Sequence, residues 1–105
     1  MSLEKLYTIA HGLNRRFPEG NDPFQKMPRL LDESDELAQM VNHFEGTGIN
    51  QGKYGSPDKT ELSKEVKDLL RCTLQIAIYY GVEDELENKI NGSYEKMRTE
   101  GLIRE

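Results

Sequence analysis

A single cysteine, no tryptophan and a low apolar content limit what this 105-residue sequence can be. With Cys72 alone, no intramolecular disulfide and no cysteine-based zinc site can form. Its neighbours Leu69, Leu70, Leu74 and Ile76 predict a buried, inert thiol. No segment approaches the roughly twenty apolar residues of a spanning helix. The opening MSLEKLYTIAHGLNRRF mixes acid and base throughout, which is unlike a signal peptide or an anchor. A soluble, cytoplasmic protein with no membrane partner is therefore the expectation. Cationic excess is missing as well: 14 Lys and Arg stand against 19 Asp and Glu, a formal charge of -5. That balance argues against binding to nucleic acid polymers but leaves room for a small phosphorylated ligand that arrives with a metal cation. No segment alternates apolar and polar residues with period two, so strands are not expected and an all-α fold is.

What is present is a chain long enough for one domain, residues 1–105, with little core to spare. Apolar residues make up 35% and charged residues 31%, so part of the apolar surface is expected to lie between copies of the chain, in a homodimer or homotetramer. Four helices can be read from period and punctuation. The first runs from about Ser2 to Arg16, with Leu3, Leu6, Tyr7, Ala10 and Leu13 on one stripe. FPEGNDP interrupts it, and a second helix is expected to begin between Gln25 and Pro28 and to stop at Gly46. EGTGINQGKYGSPD, about residues 45–58, holds four glycines and a proline and reads as a long loop. Ser56 or Asp58 then caps a third helix with Pro57 in its first turn, which Gly81 closes. The fourth runs from about Val82 to Arg98, its register set by Leu86, Ile90, Tyr94 and Met97.

The second helix crowds four carboxylates into DESDE: Asp32, Glu33, Asp35 and Glu36. At roughly 100° per residue, Glu33 lies at one edge of the apolar stripe defined by Leu30, Leu37, Ala38, Val41 and Phe44. Glu36 lies about 60° further on the same side, while Asp32 and Asp35 point elsewhere. In the third helix, whose stripe is Leu62, Val66, Leu69, Leu70, Ile76 and Ala77, Glu65 and Asp68 of EVKD repeat the pattern. If these two helices pack antiparallel, Glu33, Glu36, Glu65 and Asp68 can converge. Carboxylates brought that close either take up protons or bind a hard divalent ion. An all-oxygen donor set suits Mg²⁺ or Mn²⁺, and His11 and His43 do not supply the Glu-x-x-His pairs of a di-iron bundle.

DESDE and EVKD resemble the E-E-x-x-E and E-x-x-D motifs of MazG-like all-α nucleoside triphosphate pyrophosphohydrolases, with Asp32 in place of the leading Glu. RLLDESDELAQ and KEVKDLL agree with the family's surrounding text, and the likeness covers about Phe24 to Met97. The resemblance implies a four-helix bundle completed by homo-oligomerisation, and assembly through the first and third helices is the expectation. It implies a divalent metal on Glu33, Glu36, Glu65 and Asp68, and cleavage of a nucleoside triphosphate between the α and β phosphates to give a monophosphate and pyrophosphate. A house-cleaning role follows from the same likeness. Glu33 or Glu36 is the expected base, and Lys89, Lys96 and Arg98 fall where the family carries phosphate-binding residues. Lys53, in the glycine-rich NQGKYG, is a further phosphate candidate. His11, Asn14, Phe17, Phe24 and Tyr54 are candidates for base recognition. Two alternatives stay open: a phosphoribosyl-ATP pyrophosphohydrolase-like enzyme, and a non-catalytic helical interaction protein whose acids form a solvated face.

Overall fold

The computed structural model describes residues 3–46 and 58–104. Those residues are all-helical, without strands, as the missing period-two pattern predicts. Helix α1 spans Leu3–Arg16 and α2 spans Pro23–Glu45, with a 3-10 turn at Pro18–Gly20 between them. Helix α3 spans Lys59–Tyr80 and α4 spans Glu83–Thr99. Among the described residues no helix is long and apolar enough to cross a membrane.

Local chemistry sets the helix ends. Asp22 caps α2 by accepting from the Gln25 N–H at 3.1 Å, so the helix starts at Pro23, earlier than expected. Pro23 supplies the preset φ of a first helical position, and Pro28 lies inside the helix, where its missing N–H removes one backbone bond. Asp58 caps α3 by accepting from the Thr60 N–H at 2.8 Å, and the helix begins at Lys59; Ser56 and Pro57 lie outside the described residues. Gly46 and Gly81 end α2 and α3 in the left-handed conformation, at φ 70° and 65°.

Helix α3 is the centre of the packing: α2 makes its main contact there and α1 the next, while α4 leaves the C-terminal end of α3 and packs little against the rest. The arrangement measures 45 × 44 × 21 Å, so it is about two helix diameters thick. Among the described residues only Ala10, Cys72, Leu74 and Ala77 are buried apolar residues, and Cys72 is fully buried, as its neighbours predict. Gln75, 2% exposed, ties α3 to α1 by donating from Nε2 to Asn14 Oδ1 at 2.9 Å.

The inward face of α2 is rotated from the stripe read in the sequence. Lys26, Leu30, Glu33, Leu37, Met40 and His43 are buried or half-buried, whereas Ala38 and Val41 are exposed. On α3, Leu62, Glu65, Leu69, Cys72 and Ile76 form the matching inward line, with Val66 and Leu70 exposed. Glu33 and Glu65 thus stand on the buried lines themselves rather than at their edges. The hydrophobic ranking misassigns the face because Val41, Val66 and Leu70 face away from the α2–α3 contact.

Candidate metal centre

The α2–α3 hairpin is antiparallel along its whole length. His43 shares a cavity with Asp58 and Glu61, Glu36 meets Glu65 further along, and Lys26 and Arg29 share a second cavity with Arg71 and Gln75. Midway along the contact, Glu33, Glu36 and Glu65 each offer a carboxylate oxygen, and these atoms lie within 4.8 Å of one another. The i, i+3 spacing on α2 places Glu33 and Glu36 one turn apart on the face toward α3. Glu65, 8% exposed, answers from the opposite helix.

Two oxygens of these carboxylates, Glu33 Oε2 and Glu65 Oε2, are buried and accept no hydrogen bond from the described residues. An ionised carboxylate left so is costly, and like charges at this range add to the cost. The Glu65 carboxyl is accordingly held above its ordinary range, first by burial, then by a hydrogen bond with Glu36 and by the charges of Glu36 and Glu33, against the opposing effect of Lys64. When protonated, Glu65 donates to Glu36. The donor set is all oxygen, which fits a hard divalent cation, and the orphaned atoms supply vacant lone pairs for one. Beside the trio lies a cavity of about 360 Å³ with Glu36, Met40, His43, Glu61 and Glu65 on its walls.

Asp68 stands outside the trio. Its carboxylate is engaged by Lys64 at 3.3 Å, Lys67 at 3.5 Å and Arg71 at 3.9 Å. Asp32 and Asp35 are exposed, and Asp35 accepts from Gln39 at 2.9 Å. Lys89, Lys96 and Arg98 lie on the exposed surface of α4, where Arg98 pairs with Glu95 at 2.9 Å. Lys53 and Tyr54 lie outside the described residues.

Of the base-recognition candidates, Asn14 is occupied by Gln75, and His11 Nε2 lies 3.5 Å from Glu83. Phe24 is exposed to solvent, and Phe17 borders the cavity that holds Lys26, Arg29 and Arg71. That basic group is what sequence reasoning missed. Its signal was available: Arg29 precedes Glu33 by four residues and Lys26 by seven, which is the same helical face, and Arg71 follows Asp68 by three.

No protein-family model matches the chain, and neither does any curated protein or solved structure.

Proposed function

We propose that the chain is a nucleoside triphosphate pyrophosphohydrolase, dependent on Mg²⁺ or Mn²⁺, that cleaves its substrate between the α and β phosphates. The observation that carries this reading is the carboxylate trio of buried Glu65, half-buried Glu33 and exposed Glu36, with two orphaned buried oxygens, a donor arrangement that makes electrostatic sense when it is shared with a cation. Glu33, Glu36 and Glu65 would hold the ion, and Asp68 joins them by exchanging its lysine partners for it. When bound, such a cation offsets phosphate charge and favours ionisation of water for in-line attack. The chain's own residues do the rest. Glu36, exposed at the edge of the cavity, accepts the proton of the attacking water, while the less exposed Glu33 and Glu65 keep the donor set in place. The resemblance of DESDE and EVKD to the MazG-like motifs supports the same chemistry and a house-cleaning role.

A screen of canonical and modified nucleoside triphosphates with Mg²⁺ or Mn²⁺, read by pyrophosphate release, tests the proposal. Turnover of one or more of them is expected. Because loss of a group that merely orients a metal ligand costs about 10–100-fold, Glu65→Gln should lower the rate by at least the upper figure with the helical signal intact. An unchanged rate in that variant removes the proposal.

A further inference from the structure

One cavity lies apart from the acidic trio. Between the start of α2, the end of α1 and the middle of α3 lies a space of about 270 Å³ into which three cationic residues converge: Lys26, Arg29 and Arg71. Its size falls just below the roughly 300 Å³ at which sites for drug-sized ligands begin. That suits a small ion or one end of a larger molecule.

Lysine is almost never buried without a partner. Lys26 is 8% exposed, yet among the described residues no carboxylate lies within ion-pair distance of it. Burial, then the charges of Arg71 and Arg29, holds its ammonium below the ordinary lysine range. Arg71 is fixed in place by donating from Nη1 to Gln75 Oε1 at 3.0 Å and to Cys72 Sγ at 3.2 Å. Arg29 is exposed and free to close over the space.

The acids nearby are committed elsewhere. Asp22 accepts from the Gln25 backbone and side chain and acts on Lys26 by its charge alone, Asp68 is divided among Lys64, Lys67 and, at 3.9 Å, Arg71, and Glu33 belongs to the acidic trio. Three cations are thus held together with one carboxylate in reach, Asp68 at 3.9 Å from Arg71, and among the described residues none paired with Lys26 or Arg29. A planar guanidinium fixed by its neighbours, beside a desolvated ammonium, is the chemistry that recognises phosphate oxygens.

We propose that this cavity binds a phosphate-class oxyanion through Lys26, Arg29 and Arg71. The site stands apart from the acidic trio and needs no divalent cation. Where the pyrophosphohydrolase reading holds, the site lies one helical turn from Glu33 and receives an anionic group of the same substrate.

Titration calorimetry of the full chain at low ionic strength, with chelator present, tests this. The probes are inorganic orthophosphate, inorganic pyrophosphate and a nucleoside monophosphate, which separate a free ion from a phosphoryl group on a nucleoside. Saturable binding of at least one, at one site per chain, is expected. Arg29→Gln, an exposed substitution that leaves packing intact, should weaken it by about tenfold or more, and Lys26→Met should do the same. Lys5→Gln, which removes the same charge at the opposite end of α1, should leave it within twofold. Failure of all three probes to bind overturns the proposal, as does a loss in Lys5→Gln equal to that in Arg29→Gln. Because chelator removes divalent ions, the outcome is independent of whether the chain turns over nucleotides.

Discussion

Glu65 is the residue on which the proposed chemistry turns. Its buried carboxyl titrates above the ordinary glutamate value of 4.5. In the window above that value the folded chain therefore holds more protons than the unfolded chain, and the slope of stability with pH is negative there. The protonated Glu65–Glu36 bridge stabilises fully below the unfolded value and is lost as pH rises through the folded one. Thermal melts in chelator should show this contribution falling with pH, whereas Mg²⁺ or Mn²⁺ should restore stability increasingly over the same range, since cation and proton compete for one oxygen. Glu65→Gln removes the like-charge contact. It should raise the cation-free melting temperature by about 4–8 °C, the shift for roughly 1 kcal/mol in a domain of this size, and abolish the response to cation. A melt that responds equally to cation in wild type and variant would sink the assignment. That Glu33, Glu36 and Glu65 converge was legible from rotation along each helix. The engagement of Asp68 was not, because Lys64, Lys67 and Arg71 reach it through side-chain choices that rotation does not encode.

At the scale of the element, helix ends do most of the positioning. The register that brings Glu36 to Glu65 depends on where α2 stops and α3 starts, at Gly46 and Asp58. Asp58→Ala and Asp22→Ala each remove a cap and should destabilise by about 1 kcal/mol. Chemical denaturation measures this as a lower midpoint with an unchanged slope. Gly81→Ala places a side chain at φ 65° and should cost about 1–2 kcal/mol. Glycine stops and the Asp58 cap were readable because each is a local device. The start of α2 was not read correctly: Asp22 and Pro23 look like turn residues inside FPEGNDP, and only the observed bond to the Gln25 N–H shows them as cap and first position. The inward face of α2 was misread for a physical reason too. A stripe drawn through apolar residues assumes that the core claims them, and here the line facing α3 contains Lys26, Glu33 and His43.

The whole molecule leaves apolar surface uncovered within one chain. Its Cα radius of gyration is 16.9 Å, against about 13 Å for a compact domain of this length. Leu3, Leu6, Ile9, Val66 and Leu70 border an open apolar hollow on α1 and α3, and Ile90, Tyr94 and Met97 are exposed along α4. The composition suggested only that part of the apolar surface lies between copies, and we propose a homodimer or homotetramer formed through α1 and α3. Sedimentation velocity should then give a mass that is a multiple of 12.1 kDa. Leu70→Glu, at a residue 51% exposed in the single chain, should shift it toward one copy. A wild-type chain that sediments as one copy at tens of micromolar would end that proposal. One further property belongs to the hairpin as a unit. Because α3 runs back along α2, Lys26 and Arg29 fall opposite Arg71, and Glu33 and Glu36 opposite Glu65, so that like charges gather rather than alternate. The paired helices consequently carry an electrical polarity along their shared axis, cationic at one end and anionic midway. Exchanging Arg29 with Glu33 keeps composition, net charge and helix length while scrambling that polarity, and so separates what the order of charges contributes from what their number does.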